Sequence, residues 1–450
     1  MLDYLATRLF EEVEHLLASR NWTALRTRLQ DLPPREIADM LLLLEPSEAA
    51  VLFRVLPRSL AADVFAALEK DQRQSLLKQM SDRHVGQLLA DMRPDDRTHL
   101  LEELPGELTQ QMLNLLDAED MAEARQLLGY PEDSVGRLMT PDYVAVRPNW
   151  TVRQALEHIR EWGHDSETVN TVYVVDGHWR LLDGIMLRRF MLAQPEQFVA
   201  DLMDSSVVTL SALEDREEAV HLIQHYDLDT LPVVDSDGVL IGIVTIDDVL
   251  DVAQEEATED FHKGAALVPM KSYREASMLQ LYGKRIGWLM ILIVVNLISS
   301  SVIAAYESVL VATISLAFFI PLLIDSGGNA GSQSATLLVR ALATGDIRLH
   351  QWLRTLGREI AIGAMMGVTL GLASSGLGIF RGGPKLGIVI GLSMTGIIIV
   401  ANVIGAMLPF LLTRLRVDPA VASSPLITTI ADACGLLIYF SIASAILGTA

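Results

Sequence analysis

Five long apolar stretches, near residues 286–306, 309–338, 357–380, 386–413 and 420–448, decide most of what this chain can become. Each meets the roughly twenty residues that a helix needs to cross a hydrocarbon core. Some exceed that length, so tilts or breaks are expected. Basic residues orient the spans. With residues 1–283 inside, the cytosolic flanks hold Lys284, Arg285, Arg340, Arg348, Arg354, Arg358, Arg414 and Arg416, and the outer loops hold Arg381 and Lys385. Eight against two is a positive-inside pattern. The expectation is a multi-pass protein of the cytoplasmic membrane, with its N-terminus cytosolic and, after five spans, its C-terminus outside.

Charge is as unevenly spread as hydropathy. Residues 284–450 hold ten basic and six acidic residues, so the net charge of −22 leaves about −26 on residues 1–283. A nucleic-acid surface would be basic, so that class of partner is excluded. An acidic half suits attraction of cations. The single cysteine, Cys434, permits no disulfide within one chain and no thiolate metal site. Met1–Leu17 contains Asp3, Glu11, Glu12 and Glu14, and reads as an amphipathic helix rather than a signal peptide.

Residues 1–130 read as helix, with apolar residues three and four apart, as in Ile37-Met40-Leu41-Leu44 and Val85-Leu88-Leu89-Met92. Start signals at Pro33-Pro34, Pro46-Ser47, Pro57-Arg58-Ser59, Ser81-Asp82, Pro94-Asp95 and Pro105-Gly106 punctuate the run. Short helices at that period are expected to stack into a small superhelix. Residues 131–200 and 201–257 then repeat one order: an "LM" opening (Leu138-Met139, Leu202-Met203), a helix, a strand ending in "VVD" (Asp176, Asp235), and a glycine-led strand at Gly184 and Gly242. This repeat resembles a tandem pair of α/β CBS domains. In the second unit, Gly242-Ile-Val-Thr245-Ile-Asp247-Asp248 fits the turn that in such domains often receives an adenosine nucleotide, with Thr245 toward phosphate and Asp248 toward ribose. The first unit has Leu187 and Phe190 at the matching places, so at most one ATP-type site per chain is expected. Residues 258–283 read as an acidic connecting, plug-like helix leading into the five-helix domain, 284–450.

Three groups of residues carry chemistry. Asp432 stands midway along the last apolar run, where an ionised carboxylate needs an aqueous path or a partner. The second run contains Asp325-Ser-Gly-Gly-Asn329-Ala-Gly-Ser332-Gln-Ser-Ala-Thr336, expected to break the helix and line a pore. Close helix packing is the other reading of its small residues. These oxygen-only donors select a hard cation such as Mg²⁺, met largely hydrated. Asp248, Asp251, Glu255 and Glu259 share one helical face and repel unless a cation sits among them.

A helical N-domain, tandem CBS units, an acidic connecting helix, and membrane motifs "GGNAGSQSATL", "ANVIGAMLPF" and "DACGLLIY" together resemble the MgtE family of Mg²⁺ channels. The resemblance implies a homodimer with its pore on the two-fold axis, not an enzyme. Asp432 matches the family's pore aspartate, with Thr428, Ser332 and Thr336 at neighbouring pore positions. It also implies that Mg²⁺ bound in the cytosolic domains closes the pore. Matching sensor positions are Asp215, Glu217, Asp227, Asp248, Asp251, Glu256, Glu259 and Asp418, with Asp63 and Asp95 in the N-domain. Ser332 replaces a larger amide common in the family, Asp325 adds a charge, and His99 stands where a carboxylate is expected. A coupled transporter of divalent cations such as Co²⁺, with Asp325 carrying a counter-ion, is the alternative mechanism.

Overall fold

The structure is a computed structural model that describes residue 10 and residues 12–68, 70–204, 206–270 and 276–448. Most of the expected amphipathic helix over Met1–Leu17, and residues 271–275 of the expected linker, lie outside the described residues; residues 12–18 are helical. The chain divides into two units, Met1–Ala253 and Gln254–Ala450.

In the first unit, short helices such as Pro34–Leu43, Pro46–Val55, Arg58–Ala66, Asp82–Asp91 and Pro94–Glu103 follow one another. Pro34, Pro46 and Pro94 open their helices, where a missing N–H costs nothing and the fixed φ suits the first turn. Leu25, Ile37, Leu52, Phe65 and Leu89 are fully or almost fully buried in one continuous core. Arg97, only 1% exposed, pairs with Asp120 at 3.2 Å and with Glu123, so its buried charge is neutralised locally.

The two α/β halves that follow are copies in detail. Ala145–Val146 lies parallel to Thr171–Val175, which pairs antiparallel with Leu181–Met186; Leu210–Ser211, Thr230–Val234 and Leu240–Thr245 repeat that order. Each central strand slips register at the same place, between Val174 and Val175 and between Val233 and Val234. The Tyr173 hydroxyl lies 3.0 Å from Thr230 Oγ1, tying the halves together. After the last strand one helix runs without interruption from Ile246 to Gly264. The boundary expected at residue 257 falls inside it, because no glycine or proline interrupts the helix before Gly264.

The second unit contains five helical segments long and apolar enough to cross a membrane: Met278–Ala305, Ile314–Ala343, Leu349–Gly382, Pro384–Arg414 and Ser424–Leu447. The third and fourth form a hairpin around Gly383, whose φ of +86° suits a glycine. The second span corrects one expectation. The glycine-rich stretch does not break it: Ile320–Ala343 is α-helical throughout, and the irregular turn comes earlier, as a 3₁₀ stretch over Ile314–Phe319. The reason is packing. A Cβ at Gly327 would lie 2.5 Å from Ile397 Cγ2, and one at Gly328 2.3 Å from Thr428 Cγ2. The closest approach is between backbones, where a Cβ at Gly405 would lie 2.1 Å from the Gly331 carbonyl oxygen. Small residues here let helices approach closely, the second of the two readings of that stretch.

Gly405→Ala should therefore destabilise the membrane unit by about 1–3 kcal/mol, the usual cost of overpacking. Thermal unfolding in detergent checks this, and an unchanged midpoint contradicts it.

Candidate ion path and acidic junction

Four residues of the second span, Asp325, Asn329, Ser332 and Thr336, are three, four and seven apart. At 100° per residue they fall within an arc of about 60°. That face is exposed or half-buried, whereas Leu323, Gly327, Ala330, Ser334 and Leu338 on the opposite side are buried. On the last helix, Thr428 and Asp432 are one turn apart and half-buried.

The two faces meet. Gly328 lies against Thr428, and its missing Cβ would stand 3.7 Å from Asp432 Oδ1. Ser424 Oγ donates to Ser332 Oγ at 2.9 Å, and the Thr428 hydroxyl bonds back to the Ser424 carbonyl. The Thr336 hydroxyl donates to the Ser332 carbonyl at 2.9 Å, which leaves its oxygen free to accept. Asp325 is near enough for its charge to act on Asp432. Asp432 Oδ1 itself is buried without a hydrogen-bond partner among the described residues. An unsatisfied carboxylate oxygen one helical turn from a threonine hydroxyl offers donors of the kind a hard cation takes. Ser424 was missed in the sequence, although it lies four residues before Thr428 and eight before Asp432, on the same helical face.

A second concentration of acid lies within the first unit, where carboxylates of the helix Pro94–Glu103 and of the start of Ile246–Gly264 act on one another. Burial is the main cause of each shift there. It holds the Asp95 carboxyl above its ordinary range, with the Asp247 charge adding to the effect against Arg93. Burial pushes Asp96 up to about 6, and Asp95 adds to it. Glu167 rises to about 7 through burial and Asp95, despite its bond to Arg93. Asp248 rises to about 8 through burial, Asp95 and Asp247. Asp63, on an exposed position, contributes its charge to Asp96. Of the expected sensor carboxylates, Asp63, Asp95 and Asp248 thus gather here. Asp96 and Glu167 belong with them and were not singled out from the sequence, since neither stands in a motif.

Other expected sensor residues are dispersed. Asp215 caps the N-terminus of the helix Arg216–Tyr226, accepting from the Glu217 N–H at 2.9 Å, while Asp227 caps the far end in a left-handed conformation. That helix keeps Asp215 and Glu217 about 16 Å from Asp227. Asp251 is exposed and Glu256 half-buried on the helix Ile246–Gly264. In the second unit Lys263 Nζ bridges Glu259 and Asp418, 2.6 Å from each. Burial lowers the Lys263 pKa, but its bonds to the two carboxylates outweigh this and hold it above the ordinary value. Among the described residues no three His, Cys, Asp or Glu side chains form a ready metal cage.

Thr245, 6% exposed, donates its hydroxyl to Asp248 at 3.1 Å. A nucleotide phosphate would have to displace that bond among the charges of Asp95, Asp247 and Asp248, or arrive with a cation.

Comparison with known proteins gives the chain its relatives. Residues 320–442 match the model of a divalent cation transporter family, MgtE; residues 32–133 match the MgtE intracellular N domain; residues 135–189 and 199–255 match CBS domains. The magnesium transporter MgtE of Thermus thermophilus is 47% identical over 75% of this chain and 75% of its own length. That of Bacillus subtilis is 36% identical over 78% of each chain. Among solved structures, the cytosolic domain of the Mg²⁺ channel MgtE in complex with ATP is 35% identical and covers 54% of this chain and 99% of that one, with a TM-score of 0.52. A gathered set of oxygen donors in the membrane unit, an acidic helical and CBS unit before it, and relatives that match along most of their length lead to one conclusion: the chain belongs to the MgtE family of magnesium transporters.

Proposed function

We propose that this protein is a homodimeric Mg²⁺ channel of the cytoplasmic membrane, with residues 1–283 cytosolic and the C-terminus outside, closed by Mg²⁺ bound to its acidic residues. The observation that carries the reading is the oxygen-lined face of the second and last spans. In a single chain Asp325, Asn329 and Thr336 point outward from an apolar helix. Polar groups at membrane depth face protein or water rather than lipid. A second copy on a two-fold axis encloses that face and doubles each donor, including Asp432. The path then presents carboxylate, amide and hydroxyl oxygens to a cation that sheds water reluctantly.

Closure follows from the acidic junction. Its carboxylates repel while ionised, and a divalent cation shared between them reverses the sign. The ion contributes only the difference in its affinity for the closed and open arrangements, so several weak sites give a graded response to Mg²⁺. Asp251, Glu256 and Glu259 extend the acidic surface along the same helix toward the membrane unit in sequence. The solved complex of a relative's cytosolic domain with ATP supports adenine nucleotide as a further ligand.

Flux into liposomes tests the path. Asp432→Ala should lower Mg²⁺ flux by about tenfold or more, a loss of at least about 1.4 kcal/mol of stabilisation along the path. Wild-type flux in that variant contradicts the assignment. Asp325→Asn should alter the Mg²⁺ to Co²⁺ permeability ratio, and an unchanged ratio removes it from the path.

The junction has a defined pH dependence. Asp96, Glu167 and Asp248 have folded pKa values raised to about 6, 7 and 8, so their contribution to the closed contact is intact below about pH 4 and is lost as pH rises toward 8. Without divalent cations, hydrogen exchange over residues 93–96 and 246–250, corrected for intrinsic rates, should be faster at pH 8 than at pH 6. Mg²⁺ should restore protection at pH 8. Equal protection in all conditions contradicts the account.

A further inference from the structure

The third membrane helix, Trp352–Gly382, carries a carboxylate that the ion path does not use. Glu359 stands seven residues into the helix, about 10 Å along it. An ionisable side chain on a membrane helix is costly and is retained where it has a partner. Here the partner is Ser334, whose Oγ donates to Glu359 Oε2 at 2.8 Å. Ser334 is 4% exposed and lies on the second span, roughly opposite the face that bears Asp325, Asn329, Ser332 and Thr336. Its hydroxyl also reaches the backbone carbonyl of Asn402 on the fourth helix, at 3.3 Å.

Three helices therefore meet at one hydroxyl. Asn402 is 2% exposed, and its Oδ1 is buried without a hydrogen-bond partner among the described residues. Its side chain lies against Gly363, one turn beyond Glu359, where a Cβ would stand 3.4 Å from Nδ2. The close crossing of the second and fourth helices, Gly331 on Gly405, is adjacent. A glycine contact of this kind fixes how near two helices come but offers little to stop one from turning about its axis. A directional bond from Ser334 to a different helix supplies that restraint. The leverage is large: a rotation of about 15° moves an oxygen about 5 Å from the helix axis by about 1.3 Å. Displacements of that size matter where oxygens discriminate between ions.

We propose that Glu359 is a positioning residue for the ion path: by accepting from Ser334 it sets the rotation of the second span, and so where the Ser332 and Thr336 oxygens point, and it thereby contributes to selection among divalent cations. The inference rests on the path described above, and the experiment separates the two.

The full chain is reconstituted in liposomes and its Mg²⁺ to Co²⁺ permeability ratio measured. Glu359→Leu removes the acceptor and should shift the ratio by about fivefold; Glu359→Gln keeps an acceptor oxygen and should stay within about twofold of wild type. Ser334→Ala, which leaves helix and volume almost intact, should shift the ratio in the same direction as Glu359→Leu. The double variant should go no further than Ser334→Ala alone, because Ser334→Ala already removes the bond that Glu359→Leu breaks. A wild-type ratio in Ser334→Ala, a Glu359→Gln variant as altered as Glu359→Leu, or additive effects in the double variant would each overturn the proposal. If Asp432→Ala abolishes flux while Ser334→Ala keeps the wild-type ratio, only this inference fails. If Asp432→Ala conducts normally, the path itself is wrong and the inference falls with it.

Discussion

Burying one oxygen of a carboxylate inside an apolar helix bundle without a hydrogen-bond partner carries a cost of a few kcal/mol, and the membrane unit is organised around that oxygen, Asp432 Oδ1. Glycine at position 328 brings the second span close enough that Thr428 and Asp432 stand beside it. The Thr428 hydroxyl, one turn before Asp432, spends its proton on the Ser424 carbonyl, and further along the same face Ser424 and Thr336 spend theirs on oxygens of Ser332, which leaves lone pairs rather than donors along the face. An arrangement rich in acceptors and poor in donors is unfavourable by itself and favourable around a cation. The tight glycine contacts, the helix hairpin at Gly383 and the buried apolar cluster of Leu323, Ile397, Leu436 and Phe440 hold that arrangement in place.

The acidic half follows the same electrostatic rule in a different solvent. Where a carboxylate is paired with a basic side chain, its charge is balanced within the fold: Arg97 with Asp120 and Glu123, Arg73 with Glu103, Lys263 with Glu259 and Asp418. Among the carboxylates of Pro94–Glu103 and the start of Ile246–Gly264, Arg93 acts on Asp95, Asp96 and Glu167, with Arg73 also acting on Asp96, and burial outweighs them at each. On the function proposed above, the excess of negative charge makes the closed contact conditional on protons or added cations.

Much of this was legible in the sequence, for reasons that differ between regions. The five spans follow from length and hydropathy alone, because lipid imposes a strict requirement on both. The two α/β halves were recognisable because the "LM" opening, the "VVD" strand and the glycine-led strand recur in the same order, and the structure repeats the same bulge and register in both. Asp432 was conspicuous because a charge in an apolar run has few structural uses. The glycine-rich stretch misled, since composition cannot distinguish a broken helix from one packed against a neighbour's backbone. Only the approach of Gly331 to Gly405 decides it. Asp215, Glu217 and Asp227 were named by resemblance among the sensor positions, and only the fold shows that the helix Arg216–Tyr226 sets Asp227 apart from the other two. Glu167 and Glu359 were passed over because their partners, Arg93 and Ser334, are 74 and 25 residues away. Contacts of that separation are made by the fold and leave no local pattern.

The central claim is that Mg²⁺ moves passively along an oxygen-lined path. The most direct test is the current through the purified full-length protein in a planar bilayer, recorded with unequal Mg²⁺ on the two sides and Mg²⁺ as the only permeant cation. A channel gives currents whose reversal potential follows the Mg²⁺ equilibrium potential as the gradient is changed, and which fall as Mg²⁺ is raised on the side facing the acidic unit. A reversal potential that moves with the gradient of protons or another ion, or transport without current, would contradict the account and favour a coupled transporter.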